Sequence, residues 1–394
     1  MTIDWERIRQ AEFPSISENK LIYLISAGAS LMSKSAYDEG IRYFDQMQTN
    51  GDINHELLFL QVDEIRKSIG EYINADPDEI AFLINTTSGI SASAYLFRKH
   101  IGEVLYPSIE FPTSIHMFRK LGYPCVEVDH EHGAYPIANF TAKLTENTKY
   151  SIQSHVQSFN GFRQNLYEYG NFCKEKEIIN LINSTQAFGA FEIDVKAYNV
   201  DILVANALKW FGCGYGVGII YIKNEIIQKF GLPFTGWLSV ENPFAMDNEN
   251  MDIVQKTSAM DSLGGCPNFA SLLTLKGAFN LIKEKIGEGN LNKGIKLIQE
   301  RIISLTSYFL EKLNTTPLSI ITPQDIQYRS GIITVEHKKA KRIHRYLNKN
   351  NVYTTLKRYP EDSNETLIRF AINYYNNYGD LDSTIKIIKS CKYL

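Results

Sequence analysis

The sequence predicts an α/β protein: a mostly parallel sheet with helices on both faces, followed by a smaller α+β domain. Two observations carry this. From about residue 78, short β-rich runs alternate with amphipathic helical runs, the pattern of a sheet buried on both faces. After about residue 268 the texture changes to long helical repeats and then to shorter mixed material.

In chain order, EIAFLIN reads as a strand and SGISASAYLFRKH as the helix after it. EVLYP is a strand, TSIHMFRKLG a helix, and PCVEVD a strand. KYSIQSHV is a strand followed by the helical NLYEYGNFCKEKE. IINLIN, DILVAN and VGIIYIK are strands again. FASLLTLKGAFNLIKEKIGEG and LNKGIKLIQERIISLTSYFLEKLN carry helical periodicity. GIITVEH, KAKRIHRYLNKN, LIRFAINYY and a last helix from Asp380 complete the chain. The expected organisation is an arm over residues 1–20, a large domain over 21–284 and a small C-terminal domain over 285–394. No internal repeat or low-complexity segment interrupts it.

Composition narrows the function class. The 394 residues are 44% hydrophobic and 22% charged, ordinary for a globular protein with a sizeable core. Lys+Arg minus Asp+Glu is 41 − 44 = −3, so no global bias toward nucleic acid or an anionic membrane exists. The start, MTIDWERIRQAEF, holds acidic groups and no apolar run, unlike a signal peptide. The uncharged apolar-looking stretch from Trp210 to Ile222 is short of the roughly 20 residues a spanning helix needs. These features lead to the expectation of a cytoplasmic protein. The five cysteines are odd in number, widely spread and never in CxxC, which argues against a disulfide framework or zinc site. Asp129-His130-Glu131-His132 has metal-ligand composition, but it follows a strand-like CVEV and precedes a Gly-Ala turn. A solvated loop is the simpler reading, and no metal is assigned.

The segment NALKWFGCGYGVG, Asn206 to Gly218, holds one lysine and four glycines. A dinucleotide fingerprint needs GxGxxG with a helix after it. Counting from Gly212 or Gly214, the sixth residue is Val217 or Ile219, and the strand-like VGIIYIK comes next. No GK[ST] is present either, so the nucleotide-binding dehydrogenase and P-loop readings fail. The glycines fit a tight turn back into the sheet. Lys209 is left as a lysine at a strand end among apolar residues.

Other polar groups fall after strands, where open α/β sheets bind ligands. Asn85-Thr86-Thr87-Ser88-Gly89 opens a helix; by itself this is a cap or a phosphate site. Phe111-Pro112-Thr113 comes after the next strand and offers a ring for core filling or stacking. Asn183-Ser184-Thr185-Gln186 comes after IINLI. Taken together these segments resemble the class V aminotransferase family of fold-type I pyridoxal-phosphate (PLP) enzymes, which includes cysteine desulfurases, kynureninases and isopenicillin-epimerase-like enzymes. The resemblance spans nearly the whole chain. YLISAGAS resembles the substrate-pocket segment, NTTSG the phosphate loop, EFPT the aromatic stacking segment and SHVQSFNG the strand end that reaches the cofactor. NSTQAFGAFEIDV resembles the family's DxxQ segment and NALKW its lysine segment, Lys209 lying 26 residues after Asn183. LIRFAINYYNNYGDLD resembles the segment whose arginine holds the substrate carboxylate.

The resemblance implies a seven-stranded sheet and a role for each matching residue. Lys209 forms the Schiff base and then acts as acid and base. Thr86, Thr87 and Asn206 hold the phosphate, Phe111 stacks on the ring, and Asn183 faces its pyridine nitrogen. Ser158 and Gln186 reach the phenolic oxygen. Ala27 and Gly28 line the substrate pocket, and the planar fork of Arg369 binds a carboxylate; taken alone Arg369 reads first as a surface ion-pair residue. A homodimer with shared active sites and an amino-acid-like substrate are implied as well.

Three departures from the family pattern bear on the reaction. Asn183 stands where the family has an aspartate that keeps the pyridine protonated, which puts simple transamination in doubt and leaves β-elimination or replacement open. Leu208 replaces the histidine before the lysine. Cys266 sits in GGCPN, where Gly-Thr-Pro often reaches the neighbouring subunit's phosphate. The loop NNVYTTLKRYPEDSNET, residues 350–366, also lacks the cysteine a desulfurase uses to carry sulfur. His155, at a strand end before Ser158, fits a structural and a catalytic role equally, and His116 fits a structural one. The expected activity is a PLP-dependent lyase, replacement or aminotransferase-type reaction, or a specialised biosynthetic step. The alternatives are a cofactor-binding protein with lost turnover and a regulatory role, and a cysteine desulfurase-like enzyme.

Overall fold

The computed structural model describes residues 3–249, 252–359 and 364–394. A short strand, β1 (Ile22–Tyr23), precedes the main sheet. That sheet holds β2 (Ile80–Leu83), β3 (Glu103–Pro107), β4 (Cys125–Val128), β5 (Thr148–Ser154), β6 (Ile179–Asn183), β7 (Ile202–Asn206) and β8 (Gly218–Ile222). Its seven strands run in the order β2-β8-β7-β6-β5-β3-β4. All pairs are parallel except those of β8, which is antiparallel to both β7 and β2. The seven runs read as strands are these seven, with ends that agree to within a residue or two.

Alternation within each strand explains the two-layer burial. Along β7, Leu203 and Ala205 join the core on one face, while Ile202 and Val204 join the core on the other. β8 runs against its neighbours because the glycine segment folds back directly instead of crossing over through a helix. Gly212 sits at φ +67 with its missing Cβ against the Leu31 carbonyl oxygen, so no other residue fits that turn.

The second sheet contains β9 (Ser319–Ile320), β10 (Ile332–Glu336), β12 (Thr355–Lys357) and β13 (Leu367–Ala371), in the order β12-β13-β10-β9. β11 (Val352–Tyr353) pairs instead with β1, in parallel. The 23-residue helix Leu291–Leu313 ties the two regions together. Its Ile295, Ile298 and Ile302 pack into the main core, and its Leu305, Phe309 and Leu313 pack with Ile333 and Phe370 of the second sheet. The N-terminal helix Trp5–Glu12 docks on the C-terminal region through Arg9, which ion-pairs with Asp380 at 2.7 Å.

Two long helices, Lys34–Asn50 and His55–Ile73, occupy a stretch to which the sequence pattern assigns no element. Their periodicity is blurred by a second apolar face: Ala36 and Gly40 are buried, whereas Tyr37, Ile41, Phe44, Leu57 and Leu60 are exposed. Among the described residues, no helix is long and apolar enough to cross a membrane.

Candidate active site

Five strands of the main sheet end at the same edge. The turn after β2 enters the helix Thr86–Leu96, β3 leads to Glu110 and Phe111, β5 to Ser158, β6 ends on Asn183, and β7 ends on Asn206 just before Lys209. Arg369 enters from β13, paired with Thr334 and Thr355. One cavity of about 660 Å³ is lined by Ala27, Gly28, Phe111, Ser158, Lys209 and Arg369, together with Thr355 to Arg358 and Glu365.

Lys209 lies in the bend after β7, its Nζ 5.9 Å from the centre of the Phe111 ring. Burial, with help from Arg369 and Lys357, pushes its ammonium down to about 7. A large fraction is therefore a free amine at neutral pH, the form that attacks a carbonyl. Arg369 is 4% exposed. Its Nη1 donates to the Ser158 carbonyl oxygen at 2.9 Å and to Ser158 Oγ at 3.1 Å. Its Nε is buried without a hydrogen-bond partner, and burial lowers its pKa to about 10. A buried guanidinium with a free edge fits an incoming carboxylate.

Behind the cavity runs a continuous polar chain. Asn206 Nδ2 donates to Thr86 Oγ1 at 3.1 Å, and Thr86 Oγ1 is hydrogen-bonded to Thr185 Oγ1 at 2.7 Å. The Thr185 amide donates to Asn183 Oδ1 at 3.2 Å, and Asn183 Nδ2 donates to Ser114 Oγ at 3.1 Å. Ser114 Oγ in turn donates to Glu110 Oε1 at 3.1 Å. The backbone donor of Thr185 settles the Asn183 amide: its oxygen faces Thr185 and its nitrogen faces Ser114. Gln186 is held at both ends, donating to the Ala27 carbonyl at 2.9 Å and accepting from Trp210 Nε1 at 3.2 Å.

The sequence-derived site residues thus form two layers. Ala27, Gly28, Phe111, Ser158, Lys209 and Arg369 line the cavity, and Thr86, Asn183, Gln186 and Asn206 are buried beside it. Thr87 is exposed in the first turn of its helix. His155 is buried, 3.3 Å from Ser184 Oγ, and burial lowers its pKa to about 3, so it stays neutral. His116 is exposed on its helix. The Asp129–His132 stretch turns tightly, with Glu131 and Ala134 bridged and the Gly133 amide donating to His130 Nδ1 at 3.2 Å. Among the described residues, no three metal-ligating side chains converge.

Two residues carry no signal strong enough to be singled out from sequence. Glu110 accepts from the Phe111 and Ser154 amides at 2.8 and 2.9 Å and from Gln157 Nε2 at 3.0 Å, pinning the β3 and β5 ends together. Its place directly before Phe111 is the available hint. Lys357 lines the cavity from β12, and no local motif marks it. The cysteines stay outside: none lines the cavity, Cys173, Cys213 and Cys391 are buried, and burial pushes the Cys213 thiol well up. Of the 350–366 loop, residues 360–363 lie outside the described residues.

The arrangement fits pyridoxal phosphate on three structural counts. Asn206 Oδ1 is buried without a partner. A Cβ on Gly218 would lie 2.5 Å from the Asn85 backbone, so the helix start beside Thr86 is seated directly on β8. One face of Phe111 is open, the residue being 47% exposed. This is the architecture of a fold-type I pyridoxal-phosphate enzyme. The chain belongs to the class V aminotransferase family: residues 22–382 match the family described as Aminotransferase class-V. It is a PLP-dependent enzyme of that family.

Similarity to individual proteins is distant but spans whole chains. A probable cysteine desulfurase of Borreliella burgdorferi is 24% identical, with 96% of this chain and 95% of the relative covered. The apo structure of the cysteine desulfurase of Thermococcus onnurineus superposes with TM-score 0.85 at 18% identity, covering 99% of each chain. The cystine C-S lyase C-DES, solved with its product cysteine persulfide, gives TM-score 0.83 at 18% identity over 96% of this chain and 99% of that one. At these identities the structural matches speak to the fold.

Proposed function

We propose that this enzyme is a lyase that breaks a carbon–sulfur or similar carbon–heteroatom bond at Cβ of an amino acid. The observation that carries the reading is a weakly basic Lys209 and a half-satisfied Arg369 in one cavity that no thiol lines. When bound, the cofactor supplies an electron sink for the carbanion at Cα. Arg369 orients the α-carboxylate through its free Nε edge. Lys209, the residue that would hold the cofactor, would remove the Cα proton at Nζ. The Cβ–heteroatom bond then breaks, and its electron pair leaves with the heteroatom.

The remaining roles belong to the same proposal. Thr86, Thr87 and Asn206 bind the phosphate, Phe111 stacks on the ring, and Ser158 and Gln186 approach the phenolic oxygen. Ala27 and Gly28 border the substrate. Asn183, with its nitrogen as donor, faces the pyridine nitrogen. An amide supplies no negative charge to hold a proton there, which favours elimination over amino-group transfer. The names of the relatives support a sulfur-containing amino acid as substrate. A desulfurase reading is weaker for want of a cavity thiol, so the sulfur would leave as a hydrosulfide or persulfide anion instead of passing to a protein cysteine. A regulatory protein without turnover is disfavoured by the joint presence of Lys209 and Arg369. The three-part division at residues 20 and 284 and a cytoplasmic location complete the proposal. The apolar face of Tyr37, Ile41, Phe44, Leu57 and Leu60 supports a homodimer, which light scattering of the purified protein tests.

The deciding experiment pairs the cofactor spectrum with product analysis. Purified protein takes up PLP with a visible absorbance that Lys209→Ala abolishes. Incubation with cysteine or cystine yields pyruvate. Alanine as the product would indicate desulfuration, amino transfer to an added oxoacid would indicate an aminotransferase, and failure to bind the cofactor would sink the reading.

A further inference from the structure

The cavity contains more positive charge than one α-carboxylate uses. Its charged lining residues are Lys209, Lys357, Arg358, Arg369 and Glu365. Glu365 is already committed to Lys341, at 2.9 Å. Among the described residues, none of the four cations has a carboxylate within ion-pair distance. Lys209 and Arg369 have work in the reaction, and Arg358 is exposed. Lys357 is left over.

Its position is built by the sheet. In the antiparallel pair β12–β13, Thr355 lies opposite Arg369 and Lys357 opposite Leu367. Lys357 is therefore the diagonal neighbour of Arg369 on one face, a spacing of roughly 7–8 Å between side-chain origins. Both heads turn to the same atom: Arg369 Nη1 is 2.9 Å and Lys357 Nζ 3.4 Å from the Ser158 carbonyl oxygen. Two cations around one neutral acceptor, Arg369 buried and Lys357 partly so, repel one another, and burial together with Arg369 lowers Lys357 to about 7. An anion between or beside them removes that penalty.

We propose that the substrate is an amino acid carrying a second anionic group, which Lys357 binds while Arg369 holds the α-carboxylate. The inference rests on the PLP-enzyme reading and narrows its substrate class. The second group is a carboxylate or an oxidised-sulfur acid on the side chain or on the leaving group. Arg358 at the cavity mouth adds a screened attraction for the same charge.

The test measures a ratio. The PLP-loaded protein is titrated with S-carboxymethyl-cysteine and with its neutral amide analogue S-carbamoylmethyl-cysteine, following the cofactor absorbance. The acidic ligand is expected to bind at least about tenfold tighter, the smallest effect of one charge-assisted hydrogen bond. Lys357→Met brings the ratio near one, and Lys357→Arg keeps it. Equal affinities in the wild type, a ratio untouched by Lys357→Met, or loss of cofactor uptake in that variant overturns the inference. If the wild type takes up no PLP, the parent reading fails by itself. Calorimetry of the same protein with succinate against butyrate then tests the second-anion site separately, equal affinities overturning it.

Discussion

Replacing Asn183 with aspartate restores the acid that the family pattern has at this place, and the surrounding hydrogen bonds set the cost. Asn183 Nδ2 donates to Ser114 Oγ at 3.1 Å, and Ser114 spends its own proton on Glu110 at 3.1 Å. An aspartate has no proton to give. Ser114 is then one donor between two carboxylates, and either the introduced carboxylate or Glu110 loses a bond, while the Thr185 amide still serves the substituted side chain. Position 183 is only 4% exposed, so the orphaned acceptor costs about 1–3 kcal/mol in the cofactor-free protein. Protonating the new carboxyl supplies the missing donor, so its folded-state pKa is raised. A raised carboxyl favours the folded state at low pH, and the stability deficit grows as pH rises through that pKa. If the cofactor sits as proposed, its pyridine nitrogen would give the acid a partner, and the deficit should shrink on PLP binding. Urea midpoints of N183D and wild type, apo and loaded, at pH about 5.5 and about 8 measure this. Combining Asn183→Asp with Ser114→Ala should reduce the effect, because the contested donor is gone. If apo N183D matches the wild type at both pH values, Asn183 is not the donor described here.

Other consequences are equally direct. Lys209 and Lys357 both titrate near 7 in the folded protein against 10.5 as the ordinary value. Between those limits the unfolded chain binds more protons, so apoprotein stability should rise with pH from about 7 to about 10, and Lys209→Met with Lys357→Met should flatten that rise in a pH series of urea midpoints. For the same reason the rate of PLP capture by apoprotein should increase with pH around a midpoint near 7, followed by stopped-flow absorbance. Arg369→Ala should raise the KM for any carboxylate substrate by roughly 30-fold or more, the loss of about 2–5 kcal/mol expected for a buried charged contact, alongside a stability cost of about 1–3 kcal/mol from the lost Nη1 bonds to Ser158. Arg66 forms a buried ion pair with Asp261 at 2.5 Å, and Asp261 also accepts the Phe82 amide at 2.8 Å; Asp261→Ala should cost about 3–5 kcal/mol in denaturant unfolding, far more than removal of the exposed Lys34–Asp38 pair.

Strand positions were legible in the sequence because the central strands of the main sheet are buried on both faces, so short runs rich in β-branched and other apolar residues mark them. β7 shows the reason: Ile202 and Val204 serve one core while Leu203 and Ala205 serve the other. The polar groups at the strand ends were equally legible, which brought forward Asn183 and Lys209; Arg369, in the middle of β13, was singled out by the family resemblance alone. The direction of β8 was not, since a glycine turn and a helical crossover leave the same strand pattern behind them. The helices at 34–50 and 55–73 were hidden by their second, exposed apolar face. The wiring of the candidate site came from packing. Nothing local in FPTS indicates that Ser114 bonds to Asn183, or that Glu110 gathers the ends of β3 and β5. Lys357 and Arg369 are neighbours only because β12 and β13 pair in one register. Periodicity is a property of a segment and can be read from it; a hydrogen bond between residues far apart in the chain, or a cation placed beside another, exists only after the segments are packed.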